Sequence, residues 1–165
     1  MSGTMVLGIG NPLGGDDAVG SCVVQMLNRV LSTRSSGRHS AGASVLAGIT
    51  VIDGGTAPES YTSVIRRQRP ESLILIDAAD MGLPVGAVRI IPEGSLRTLT
   101  FSTHHMPLSA FISYVKELCG RVWLIGIQPA QTEAGTAISK VARTSARKLV
   151  RTILEGRLER IPLLE

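Results

Sequence analysis

Apolar positions along this chain fall into two patterns: short continuous runs, and stripes spaced three and four residues apart. Residues 5–9 (MVLGI) are a run too brief for a helix, ending in the breaker-rich segment GNPLGG, and predict a strand opening into a loop. Behind it, Val19, Cys22, Val23, Met26, Leu27 and Val30 repeat at the spacing of a helix that buries one stripe. Residues 32–48 are rich in Ser, Gly and Ala, hold no sustained period, and read as a long flexible connection. A second strand over 49–53 ends in Asp53-Gly54-Gly55, and a short helix from Pro58, carrying Tyr61, Val64 and Ile65, closes before Pro70. The run LILI at 73–76 is of the kind buried on both faces of a parallel sheet, with Asp77 read as its terminator. Residues 86–91 (GAVRII) follow too soon for a crossover helix, so an antiparallel strand fits there. A polar loop then leads to Leu108, Phe111, Ile112, Val115 and Leu118 at helical spacing, with Pro107 near the first turn, where its missing donor costs nothing. The last strand is VWLIGI at 122–127. An amphipathic helix with Lys140, Arg143, Arg147, Lys148, Arg151, Arg157 and Arg160 outside, and Ile138, Val141, Leu149, Ile153 and Leu154 interleaved, closes the chain.

Strands alternating with helices predict a three-layer α/β/α sandwich with a mostly parallel, twisted sheet of about five strands. The 165 residues make one domain, large enough to bury a core without staples. A net charge of +4 admits polyanion binding, but only 3% of residues are aromatic, which argues against a nucleic-acid partner. The basic outer face of the last helix reads either as a solvated surface or as a docking site for an acidic protein. Cys22 and Cys119 both lie in apolar stripes and read as reduced core thiols. No apolar run approaches a membrane span and the first residues lack a signal-type pattern, so a cytoplasmic protein without membrane insertion is expected. A monomer is expected too, because the sheet consumes both amphipathic faces.

Ligand crevices in open α/β sheets lie beyond the carboxyl ends of the strands. Three places there carry chemistry: Asp16-Asp17 after the first strand, Asp77 after the third, and Thr103-His104-His105 before a helix. Two carboxylates and one imidazole, either His104 or His105, would make a facial set for a divalent ion with open positions for water or substrate. Each residue also has a plain reading: Asp17 as a helix N-terminal cap, Asp77 as a strand terminator, the histidines as loop residues. The segment GIGNPLG only superficially matches a dinucleotide fingerprint, since its third glycine is displaced and two acids stand where a pyrophosphate would bind. A phosphoacceptor receiver also uses an acidic pair and a third-strand Asp, but Gln128-Pro129 stands where its lysine belongs. HExxH and GxSxG are absent from the sequence.

The ordered set GIGNPLGGDDAVG, IDGGTAPE, LILIDAADMGLPVGAVRII, STHHMPL and IGIQP closely resembles the hydrogenase maturation endopeptidases, in particular the branch acting on hydrogenase 3-type large subunits. The resemblance runs from Met5 to about Pro129. It implies an α/β/α peptidase domain that trims the C-terminal extension from the large-subunit precursor of a nickel–iron hydrogenase after nickel insertion. On this resemblance Asp17, the second acid of GDD, contacts the metal, with Asp16 the less certain member. Asp77 and His104 complete the set as both catalytic and metal-contacting residues, although His105 stands where this branch often has Asn. The implied cofactor is nickel, supplied by the precursor, and either a carboxylate of the set or Asp53 would serve as general base. A non-catalytic nickel-binding maturation factor is the alternative, with the receiver-like module behind it.

Overall fold

A computed structural model describes residues 3–34, 44–46, 48–101 and 106–165. Seven strands and four α-helices follow one another along these residues: β1 (Thr4–Gly8), α1 (Val19–Arg34), β2 (Ser44–Leu46), β3 (Ile49–Asp53), α2 (Thr62–Gln68), β4 (Ser72–Asp80), β5 (Val88–Ile90), β6 (Thr100–Phe101), α3 (Leu108–Val115), β7 (Arg121–Ile127) and α4 (Lys140–Leu154). The sheet order is β2-β3-β1-β4-β7-β5, and β6 pairs separately with β4. Strands β3, β1, β4 and β7 are mutually parallel, and the edges β2 and β5 are antiparallel. This is the expected mostly parallel sheet with helices on both sides.

Period-two alternation in β4 sorts its side chains between two cores. Ile74, Ile76 and Ala78 pack with α1 and α4, whereas Leu73, Leu75 and Ala79 pack on the α2 and α3 side. β1 alternates in the same way, with Val6 on the first side and Met5 and Leu7 on the second. The order of strand addition reverses between β1 and its parallel neighbour β4: from β1 the chain goes through α1 and β2 to β3 on one side, and β4 pairs with β7 on the other. The carboxyl ends of β1 and β4 therefore form the topological switch point, where loops diverge and leave a crevice.

The sequence reading needs correction at four points. The connection read over 32–48 contains the last turn of α1, to Arg34, and strand β2, while 35–43 and 47 lie outside the described residues. β2 is three residues long, too short to show a period. It is held in a hairpin in which Leu46 pairs with Ile49 and Gly48 turns at φ 78°. Asp77 does not terminate its strand: β4 runs on to Asp80, pairing Asp77 with Gly126 and Ala79 with Phe101. Ladder pairing uses backbone groups, so one charged side chain interrupts the apolar run without ending the strand. The closing helix ends at Leu154, before Gly156 at φ 65°, so Arg157 and Arg160 lie outside it. Val141 falls off the buried stripe formed by Ala142, Ala146, Leu149, Val150 and Ile153, and is 49% exposed.

Two glycines set how closely α1 approaches the switch point. A Cβ on Gly20 would lie 2.4 Å from the Ile9 carbonyl oxygen and 2.6 Å from that of Ile76, and one on Gly8 would lie 2.5 Å from the Gly20 oxygen. The first turn of α1 thus rests on the backbone of the seam itself. All the opposing atoms at Gly20 are backbone, which cannot swing away, so Gly20→Ala is expected to cost about 3 kcal/mol or more, the upper end of overpacking. Urea unfolding of purified protein measures this; a cost under ~1 kcal/mol would show that α1 is free to lift.

Candidate active site

The loop after β1 is built by backbone pairing before any side chain enters. The Ile9 N–H donates to the Ile76 carbonyl (2.8 Å), Gly10 N–H to Gly55 O (2.9 Å), and Gly54 N–H to Gly8 O (2.7 Å), so the loop is laced to the ends of β3 and β4. Asn11 then makes an Asx turn, its Oδ1 accepting from the Leu13 N–H (2.9 Å), and its carbonyl accepts from Gly14 N–H (3.1 Å). A 3₁₀ turn over Gly15–Ala18 follows and runs directly into α1. Both acids of the motif lie in this turn, and both are buried.

Their surroundings separate them. Asp16 is fully satisfied: Oδ1 accepts from Ser139 N–H (2.6 Å), and Oδ2 from Ala130 N–H (2.8 Å) and Ser139 Oγ (2.8 Å). Ser139 is also the N-cap of α4, its Oγ accepting from Ala142 N–H (3.1 Å). Asp16 is therefore a structural anchor between the loop after β1 and α4. Asp17 accepts one bond, from Asn11 N–H to Oδ2 (2.9 Å), and its Oδ1 has no hydrogen-bond partner among the described residues. Burial raises its pKa, and the Asn11 bond offsets part of that rise. Asp77, on β4 and completely buried, is held well above the usual carboxylate range, first by desolvation and then by the negative charge of Asp17, against the lowering effect of Ala78 N–H. The structure thus brings together Asp17 and Asp77, two of the three residues singled out from sequence.

His104 and His105 lie outside the described residues. Phe101, three positions before His104, pairs with Ala79, two positions after Asp77, and α3 begins at Leu108. Asp53 is exposed and accepts from Ser21 Oγ (2.9 Å) and Gly55 N–H (3.2 Å), a turn-anchoring arrangement. Both cysteines are free, and burial raises both thiol pKa values, so neither is an activated nucleophile.

Sequence reasoning missed Gln128. Its Oε1 accepts from Met81 N–H (2.7 Å) and Leu83 N–H (3.3 Å), and its Nε2 donates to Asp80 Oδ1 (3.1 Å), which fixes the loop after β4 beside the site. The signal was its place directly after the last strand; the sequence does not reveal which loop it would hold. A cleft of about 380 Å³, lined by residues including Ile91, Leu96, Ile112 and Trp123, opens on the amino-terminal half of β7 and contains none of the candidate residues.

Asp17 and Asp77 are both raised by burial, Asp77 also by the charge of Asp17, and two such carboxylates form an unfavourable pair when both are ionised. A divalent cation would remove that penalty, and the unsatisfied Asp17 Oδ1 is an available donor atom, so the pair fits one side of a metal coordination shell. Among the described residues no group of three His, Cys, Asp or Glu side chains could hold a metal ion, so a third ligand has to come from elsewhere.

Residues 38–156 match the family model described as HycI, hydrogenase maturation protease, a stretch that includes Asp77 and His104 but begins after Asp17. The hydrogenase 3 maturation protease of Escherichia coli K12 is 36% identical over 126 residues, covering 76% of this chain and 72% of that protein. The crystal structure of a hydrogenase 3 maturation protease superposes with a TM-score of 0.79 at 30% identity, covering 99% of this chain and 97% of the other. That of a nickel–iron hydrogenase maturation protease HycI from Thermococcus kodakarensis gives 0.75 at 30% identity, covering 94% and 92%.

The neighbouring acids should respond oppositely to neutralisation. Asp17 and Asp77 bind protons more tightly in the folded chain than in the unfolded one. Their contribution is therefore most favourable below the ordinary carboxylate pKa and is lost as pH rises through the raised values. Asp77→Asn is expected to raise the melting temperature at neutral pH and to flatten this decline. Asp16→Asn turns an amide toward three donors and is expected to cost about 1–3 kcal/mol. Thermal melts of both variants from pH 4 to 8 check this; an Asp77→Asn protein without a cooperative transition would make Asp77 a structural residue.

Proposed function

The chain belongs to the hydrogenase maturation protease family, and from that premise we propose that it is an endopeptidase that removes the C-terminal extension of a nickel–iron hydrogenase large-subunit precursor after nickel insertion. The observation that carries the reading is the Asp17–Asp77 pair, buried at the switch point, with one carboxylate oxygen left for an incoming ligand. Nickel belongs to the substrate in this reading, and Asp17, Asp77 and His104 recognise it there. An empty precursor offers these groups no cation to coordinate, which makes maturation state the condition for docking.

Each residue has a distinct task. Asp17, oriented by the Asn11 N–H, offers Oδ1 toward the precursor. Asp77, whose proton affinity is raised by burial and by the Asp17 charge, is the group suited to move a proton between the attacking water and the leaving amide nitrogen. His104 supplies the imidazole that completes two oxygens and one nitrogen. Bound nickel would supply Lewis acidity toward the scissile carbonyl. Asp16 and Gln128 hold the loops on either side in place.

The histidine assignment is tested with nickel-loaded precursor and intact-mass detection of the shortened large subunit. His104→Ala and Asp17→Asn are expected to slow processing by ~10²-fold or more, with melting temperatures retained for His104→Ala. Full processing by His104→Ala, with His105→Ala inactive, would transfer the role to the neighbouring imidazole.

A further inference from the structure

We infer that the exposed face of α4, together with Arg29 of α1, is a docking strip for an acidic surface of the precursor protein, leading that partner to the mouth of the site. This rests on the protease reading above. Within Lys140–Leu154 there is no acidic residue, and Lys140, Arg143, Arg147, Lys148 and Arg151 are all exposed. None of them forms an ion pair among the described residues, where the salt bridges join Lys116 to Glu93 and Arg157 to Glu155. Arg143 and Arg147 stand one turn apart, and Arg29 comes from the neighbouring helix. All three guanidinium charges act on the half-buried Cys22 thiol between the helices, partly opposing the effect of its burial. Like charges gathered from two helices without a counter-charge repel one another, and an anion from outside relieves that repulsion.

The strip also leads to the site. From Lys140 to Arg151 it runs roughly 16 Å at 1.5 Å per residue, and its amino-terminal end is the end fastened to the site. Ser139 binds Asp16, next to Asp17, and Ser145 Oγ donates to Gly86 O (2.6 Å), so the first turns of α4 lie on the loop that follows β4. Val141, 49% exposed, and Val85, 42% exposed, add an apolar patch at that end, where Val141 lies against Gly86. A basic row ending in a small apolar patch beside a peptidase site fits a folded protein surface with carboxylates, which guanidinium groups pair with bidentately. A membrane surface fits less well, since α4 keeps Leu149, Val150 and Ile153 in the core and has no apolar face for lipid. Nucleic acid fits less well because neither α1 nor α4 carries an aromatic residue for stacking.

The test compares wild type, R29Q/R143Q/R147Q and R29K/R143K/R147K on purified nickel-loaded precursor, measuring association rate and cleavage separately at low and high salt. The expected result is an association rate about 10-fold lower for the glutamine variant at low salt, with a shallower salt dependence. Its KM should rise and its kcat stay unchanged, and the lysine variant should behave as wild type. Association rates and KM equal to wild type in the glutamine variant would overturn the docking strip. It would also be overturned if duplex DNA or phosphatidylserine vesicles bound wild type, lost binding to the glutamine variant, and precursor kinetics were the same for both. Precursor that associates through the strip but is never cleaved by wild type would uphold the docking surface and defeat the protease reading instead.

Discussion

The site depends on one close approach: the first turn of α1 lies against the backbone of the β1–β4 seam, without side chains in between. Gly8 and Gly20 make this possible, because a Cβ at either position would enter backbone atoms. With α1 held that close, the 3₁₀ turn preceding it is forced down onto the switch point, and the two acids it carries are buried rather than solvated. Asp77 is already there, since β4 passes through it with its ladder to β7 intact. Elsewhere along the seam the inward-facing residues are aliphatic; at this one level two carboxylates face a low-dielectric space.

Burying three acids within one loop and one strand would be costly if all were equivalent. Asp16 is stabilised by three donors that tie the loop to the N-cap of α4, a long-range link that substitutes for the missing apolar contact. Asp17 keeps one carboxylate oxygen without a hydrogen-bond partner among the described residues, and its charge adds to the effect of burial in raising the proton affinity of Asp77. A cation bound to this pair would couple recognition to stability through the same groups.

Much of this was legible in the sequence because the relevant signals are local. The helical stripe from Val19 to Val30, the double-buried run before Asp77 and the GNP turn each specify their own element, and alternation of strands and helices implies the sheet. The signal failed where it was too short or depended on distant residues. β2 and β6 have three and two residues and exist only through their partners. Asp77 looked like a terminator because side-chain polarity was read as a strand boundary, whereas ladder bonds ignore side chains. Asp16 and Asp17 are adjacent and chemically identical, and it is Ala130 and Ser139, 114 and 123 positions away, that set Asp16 apart as the anchor. The role of Gln128 likewise depends on a loop 45–48 positions earlier.

The central claim is that the Asp17–Asp77 pair reads nickel in the precursor. Its most direct test is the intact mass of the large-subunit precursor, nickel-loaded and nickel-free in parallel, before and after incubation with this protein. The account expects loss of a C-terminal peptide from the loaded form alone. Equal cleavage of both forms would contradict nickel recognition, and an unchanged mass for verified loaded precursor would contradict the peptidase role.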